Sequence, residues 1–186
     1  MRRLAAQPAR RSFADSVRST SRLSGRGKTA TPSRTMNTLK PAHILVPVDF
    51  SETTRLAIDY ALEICARFSA RLTLLHVQKP PIVPGTELGF NYAEYLEHLS
   101  HTAADRLREL ATSLPASCSA QTQVLEGIPW DLIVHYAAEH QVDLIVMPTH
   151  GRSGLKHLLL GSVAERVVRH AHCPVLVVRD GAAPAS

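Results

Sequence analysis

From His43 onward, apolar and polar positions fall into blocks whose period switches repeatedly between that of a strand and that of a helix. The run His43-Ile44-Leu45-Val46-Pro47-Val48, ending at Asp49, predicts a short buried strand. Beyond Ser51, which can cap the next helix, Ala57, Ala61, Ile64, Cys65 and Phe68 recur at helical spacing and predict its buried face. Arg71 to Val77 is again nearly all apolar, at Leu72-Thr73-Leu74-Leu75, and predicts a second strand. Strand, helix and strand in succession make a βαβ unit, which requires a parallel sheet with a right-handed crossover.

Residues 78 to 91 carry Pro80, Pro81, Pro84 and Gly85 and predict a long loop, either a binding edge or a plain surface excursion. A helix follows from about Tyr92 to Leu114, with Tyr95, Leu96, Leu99, Ala103, Leu107, Leu110 and Ala111 as its inward face. The more polar stretch Ser119 to Leu125 predicts a strand at a sheet edge. Gly127 then turns the chain, and Pro129 suits the first turn of a helix whose core face is Leu132, Ile133, Tyr136 and Ala137. The last stretch, Val142 to Arg179, reads as strand (Leu144 to Met147), glycine loop, helix from Ser162 and strand (Pro174 to Val178). Five strands alternate with four helices without an internal repeat, so the fold class is α/β, one domain from about His43 to Arg179.

Charge separates the first 40 residues from the rest. They hold eight Arg and two Lys against Asp15 alone, a balance of +9; the whole chain sums to +5, which leaves −4 for residues 41 to 186. A general nucleic-acid surface therefore has little support outside this segment. The Arg- and Ser-rich segment 1–40 is expected to be a disordered extension to a domain spanning 41–180, with 181–186 a flexible tail. Three readings fit the extension: an over-extended start with Met36 as the true first residue, an organelle transit peptide, or a solvated basic tail. No apolar run approaches the roughly 18 to 20 residues that cross a bilayer, so no membrane role is expected. Cys65, Cys118 and Cys173 lack zinc-type spacing and read as small buried thiols of a reducing compartment, the cytoplasm. His98 with His101, and His170 with His172, have no third ligand in view, so no metal site is expected.

The chemistry concentrates at Gly151 and Gly161, ten residues apart, the second followed by Ser162 and a helix. A helix N-terminus offers unpaired N–H groups and partial positive charge, which suits a phosphate. Equally, Ser162-Val163-Ala164-Glu165 is a capping box that satisfies the same donors internally, and both readings can hold. If the first and fourth strands are neighbours, Asp49 and this loop share one crevice, a pairing that describes a nucleotide site. There is no Gly-x-x-x-x-Gly-Lys-Ser/Thr loop, no Gly-x-Gly-x-x-Gly after the first strand and no Gly-x-Ser-x-Gly elbow.

Val46-Pro47-Val48-Asp49-Phe50-Ser51, Leu75-His76-Val77 and the whole of 142–179 together resemble the universal stress proteins, a branch of the adenine-nucleotide α-hydrolase-like folds. The resemblance implies a single open five-stranded parallel sheet in the order 3-2-1-4-5, with helices on both faces. It also implies homodimers that pair through the last strand, Pro174 to Val178. Nucleotide-binding members resemble Gly-x2-Gly-x9-Gly-Ser/Thr; here Gly151, Gly161 and Ser162 fit, and Pro148 replaces the first glycine. Carried over by position, Asp49 and Val77 flank adenine and ribose, Pro47, Val48 and Met147 line the pocket, and Gly151, Gly161, Ser162 and Val163 hold the triphosphate. Arg152 joins them on chemistry, since a guanidinium in a phosphate loop bonds anionic oxygens bidentately. The expected function is a stress-response switch or sensor that binds ATP, with Mg²⁺ at the phosphates, read by an unknown protein partner. With no evident base or Walker-type lysine, it has at most weak ATPase activity. The alternative is an interaction module of the same fold that binds no nucleotide. A ligase of the wider fold is disfavoured because Asp49-Phe50-Ser51 stands where a Ser-Gly-Gly-x-Asp-Ser loop belongs.

Overall fold

A computed structural model describes residues 40–80, 91–115, 118, 120–150 and 160–179. The basic extension 1–39, most of the proline loop, Gly151, Arg152 and the C-terminal tail lie outside the described residues. The described residues form the elements β1 (His43–Pro47), α1 (Glu52–Phe68), β2 (Arg71–Gln78), α2 (Tyr92–Thr112), β3 (Ala120–Glu126), α3 (Pro129–Glu139), β4 (Leu144–Pro148), α4 (Ser162–His170) and β5 (Val175–Val178). All strand pairs are parallel, in the order β3-β2-β1-β4-β5. The α/β class and the sheet order are those expected.

Alternation along the strands divides the core into two layers. Ile44, Val46, Leu72, Leu74, Leu144 and Val146 face α1 and α2, meeting Ala57, Ile58, Ala61, Cys65 and Leu107. Leu45, Leu75, Ile145 and Met147 face α3 and α4, meeting Ile133, Ala137, Ala164 and Val167. Central strands buried on both faces must be apolar at every position, which is why β1 and β4 read as unbroken runs. β3 lies at the edge and exposes Gln121, Thr122 and Gln123.

α2 departs from its expected packing. Only Ala103 and Leu107 are buried, whereas Tyr95 is 37% exposed and Leu96 and Leu99 are half-buried. A helix of 21 residues spans roughly 31 Å, and the seven-residue β3 beside it only about 23 Å. The N-terminal half of α2 therefore overhangs the carboxyl end of the sheet, and its apolar spacing has no strand beneath it.

The amino end of the sheet is closed by a polar cluster. The Asp143 carboxylate accepts from the N–H groups of Ala42 (2.9 Å) and His43 (3.0 Å), tying the start of β1 to the turn before β4. The buried His43 ring places Nε2 2.8 Å from Thr73 Oγ1 and Nδ1 3.1 Å from the His140 carbonyl, with the Arg71 guanidinium 2.9 Å from Nδ1 and donating to the same carbonyl at 3.2 Å. Burial, first, and the Arg71 charge push the His43 pKa below its ordinary value, so the ring is held neutral.

Candidate nucleotide site

The chain runs outward from β1 to β2 and β3, then crosses back to β4 and β5, so the topology reverses between β1 and β4. Strands flanking such a reversal splay at their carboxyl ends and leave a crevice. Here the described β1–β4 register covers only Ile44↔Leu144 and Leu45↔Ile145, and beyond it a crevice of about 170 Å³ opens.

Its lining brings together eight of the ten residues expected at the site. Pro47, Val48 and Asp49 come from the end of β1, Val77 from β2, Met147 from β4, and Gly161, Ser162 and Val163 from the start of α4. Gly151 and Arg152 lie outside the described residues. Sequence reasoning did not select His76, Pro129, Ile133 or Pro148, which also line it. For His76 the signal was present in the Leu75-His76-Val77 strand end. Ile133 was read only as the core face of α3, and nothing in its spacing says that this face reaches the crevice.

Asp49 is fixed by the start of α1. Its Oδ1 accepts from Ser51 N–H (3.0 Å), Ser51 Oγ (2.5 Å) and Thr54 Oγ1 (2.6 Å). Ser51 occupies the N-cap position without making the expected side-chain cap: its hydroxyl orients Asp49 instead. Thr53 Oγ1 donates to the His150 carbonyl at 3.0 Å, joining α1 to the chain leaving β4. Between Asp49 and Ser51, Phe50 adopts φ +62°, a left-handed conformation that costs a non-glycine residue roughly 1 to 2 kcal/mol. It is held by the His76 ring, centroids 4.7 Å apart, and by the Arg106 guanidinium 4.2 Å from its ring centre. His76 is itself positioned by donating Nδ1–H to the Val48 carbonyl at 2.7 Å. Backbone strain here turns the chain sharply and leaves Asp49 at the crevice.

At the opposite wall the capping-box expectation is corrected. The N-cap of α4 is Gly161, Ser162 is the first helical residue, and Glu165 bonds Arg169 at 2.8 Å instead of reaching back. The first helical hydrogen bond is Glu165 N–H to the Gly161 carbonyl at 2.9 Å. Ser162, Val163 and Ala164 therefore contribute the three first-turn N–H groups that a helix cannot satisfy from within. The Gly161 N–H is not among these donors, because it bonds the Thr149 carbonyl at 2.7 Å.

Pro148 sits at the mouth of β4 without breaking the sheet. Ile145 and Thr149 donate to the carbonyls of Pro174, just before β5, and Val178, so alternation turns the nitrogen of residue 148 toward β1, beyond the described β1–β4 register. A proline there forfeits no ladder bond and takes one donor away from the crevice.

An open parallel sheet of this order, with an acidic strand end facing a helix N-terminus across its reversal point, has the adenine-nucleotide α-hydrolase-like fold. Residues 41–179 match the model of the universal stress protein family. Universal stress protein MJ0531 of Methanocaldococcus jannaschii is 37% identical over 139 residues, 73% of this chain and 81% of that protein. The solved UspA of Lactobacillus plantarum is 33% identical, covers 74% of this chain and 97% of its own, and superposes with a TM-score of 0.65. A universal stress protein solved in complex with cAMP shares the fold at 24% identity, 75% and 97% coverage and a TM-score of 0.50. The chain belongs to the universal stress protein family.

Among the described residues no helix is long and apolar enough to cross a membrane, and no group of three or more His, Cys, Asp and Glu could hold a metal ion. His98 and His101 lie on the exposed overhang of α2, where His101 faces Glu97 at 3.8 Å. His170 instead packs on Trp130, ring centroids 5.2 Å apart.

Proposed function

We propose that this universal stress protein binds ATP in the β1–β4 crevice and acts as a nucleotide-dependent switch with little hydrolysis of its own. One observation carries the proposal: an oriented carboxylate, Asp49, and the unpaired first-turn N–H groups of α4 line the same crevice, over an apolar floor. A flat base suits the floor formed by Val48, Val77, Ile133 and Met147, Asp49 is placed to accept from ribose hydroxyls or the base, and the α4 donors suit phosphate oxygens. Mg²⁺, where it takes part, enters with the phosphates, which are its preferred oxygen ligands.

In this proposal the Asp49 Oδ1 is spent on three internal donors, which makes the residue a positioned acceptor and gives it no role as a base toward water. The protein acts in the cytoplasm, where a nucleotide-bound form is read by a protein partner. It does so as a homodimer paired along edge strand β5, whose Leu176 is 37% exposed.

Ser162→Pro tests the phosphate placement without disturbing the helix. Proline is favoured at the first helical position, and Gly161 already has the extended φ −71°, ψ 153° that a residue before proline requires. Trp130, the only tryptophan, lies beside crevice residue Pro129 and under Arg166 of α4, so its fluorescence reports ATP titrations. The expected result is a several-fold weaker ATP affinity with an unchanged melting temperature. An unchanged affinity would place the phosphates elsewhere.

A further inference from the structure

Helices α1 and α2 pack on the same face of the sheet and leave a gap between them. α1 lies mainly over β4 and β1, and α2 mainly over β3 and β2. The groove between the two helices holds about 310 Å³, at the lower end of the roughly 300 to 1,000 Å³ in which proteins bind small ligands. It is separate from the nucleotide crevice, which α3 and α4 line from the other face; Val48 is the one described residue that borders both.

The groove is apolar at its floor and cationic at its rim. Val48 and Ile58 are 3% and 2% exposed, and Leu110 is half-buried. One exposed arginine comes from each helix, Arg55 from α1 and Arg106 from α2. Arg55 has Glu52 three residues before it and Asp59 four after, and Arg106 has Glu109 three after, all at helical pairing distance. Yet among the described residues neither guanidinium has an ion-pair partner or a hydrogen-bond acceptor. Arg108 and Arg169, by contrast, bond Asp105 at 2.6 Å and Glu165 at 2.8 Å across such spacings.

Arg106 is also held in place. Its guanidinium lies over the Phe50 ring, 4.2 Å from the ring centre. Contact with a ring face occupies none of the five N–H donors, which remain for a planar anion. The hydroxyls of the groove are already donated, Ser51 and Thr54 to Asp49 and Ser113 to the Leu110 carbonyl. The arginines are therefore the donors left to a ligand.

We propose that this groove is a second ligand site, which takes a small amphipathic monocarboxylate. Its apolar body rests on Val48, Ile58 and Leu110, and Arg55 and Arg106 hold its carboxylate through charge-assisted hydrogen bonds. The apolar floor calls for a ligand with a hydrocarbon body. Two arginines against Glu109 leave the groove a net charge of +1, which favours a monoanion over a phosphate dianion.

Full-length ¹⁵N-labelled protein is titrated at constant ionic strength with hexanoate and with phenylacetate, and the amide shifts are followed by NMR, with hexanamide and phenylacetamide as uncharged controls. The expected result is saturable shifts at Phe50, Arg55, Arg106 and Leu110 with at least one carboxylate, its amide binding several-fold more weakly. The tighter of the two carboxylates identifies the body as aliphatic or aromatic. Arg55→Gln and Arg106→Gln each weaken the carboxylate several-fold and leave the amide unchanged. Equal binding of acid and amide would overturn the proposal, as would saturation confined to crevice residues such as Met147 and Ser162, or no saturable shift at all. So would phenyl phosphate binding the groove residues more tightly than phenylacetate. Arg106 also supports Phe50 in its strained turn, so Arg55, which is exposed and has no described partner, keeps the test open if Arg106→Gln fails to fold.

Discussion

Replacing Gly161 by alanine separates what this glycine does for the fold from what it does for a ligand. Its backbone, at φ −71° and ψ 153°, is one that any residue adopts, so conformational freedom is not the reason for glycine here. Proximity is. An added Cβ would lie 2.9 Å from the Thr149 carbonyl oxygen and 3.6 Å from the His150 Cα, both main-chain atoms that no side-chain rotation can move aside. The same carbonyl accepts the Gly161 N–H at 2.7 Å, and Thr149 N–H is tied to Val178 in β5 at 2.9 Å. Relief therefore requires α4 to back away from the end of β4 by a few tenths of an ångström, stretching that bond. Overpacking of this kind costs about 1 to 3 kcal/mol. Weakening one hydrogen bond adds up to about 1 kcal/mol, and the smaller unfolded-state entropy of alanine returns about 0.4 to 1 kcal/mol. The net expectation is a loss of about 1 to 3 kcal/mol without any ligand present. For a domain of this size that lowers the melting temperature by about 3 to 10 °C. Differential scanning calorimetry of the nucleotide-free protein measures it, with urea unfolding as a check. A Gly161→Ala protein as stable as its parent would refute the close-approach reasoning and leave ligand access as the explanation for glycine at this position.

Three other outcomes follow from the same structure. Because burial lowers the His43 pKa, the unfolded chain binds the proton more readily, and this contribution to stability is present above about pH 6.5 and lost as pH falls through the folded value. Urea midpoints at pH 7.5 and 5.0 should fall on acidification, and His43→Gln should reduce the difference; an equal fall in that variant would remove His43 as the cause. Leu107→Ala, at the one fully buried leucine of α2, should cost about 2 to 5 kcal/mol in urea unfolding, whereas Leu99→Ala on the overhang should cost under about 1 kcal/mol; similar losses would contradict the observed packing. Pro148→Gly returns a main-chain donor that faces the crevice, so calorimetry should show ATP binding several-fold tighter, and an unchanged affinity would show that this donor reaches no ligand atom.

The strands were legible because β1, β2 and β4 are buried on both faces and leave continuous apolar runs, and β3 was legible as an edge through its exposed Gln and Thr residues. Strand order was not derivable from periodicity; it came from the family resemblance, and the sheet has that order. Local rules failed where a side chain had a second option. Ser51 and Ser162 both satisfy the residue preferences of a helix N-cap, yet Ser51 turns to Asp49 and the cap of α4 is Gly161, choices fixed by the approach of β4 and α1. The face of α2 was overcounted for a geometric reason, since spacing shows which residues share a face but not how far the sheet extends beneath it. The close approach of Gly161 to the Thr149 carbonyl is likewise a tertiary contact that spacing along the chain does not reveal.

The central claim is that the β1–β4 crevice holds ATP, and the most direct test is the nucleotide content of the protein itself. Protein purified from its own cells is quenched in acid and analysed by denaturing mass spectrometry, with isothermal titration of ATP into any empty fraction. We expect near-stoichiometric ATP, or an empty protein that takes up one ATP per chain. A protein that is empty and produces no binding heat with ATP, while unfolding cooperatively, would contradict the claim and leave an interaction module of the same fold.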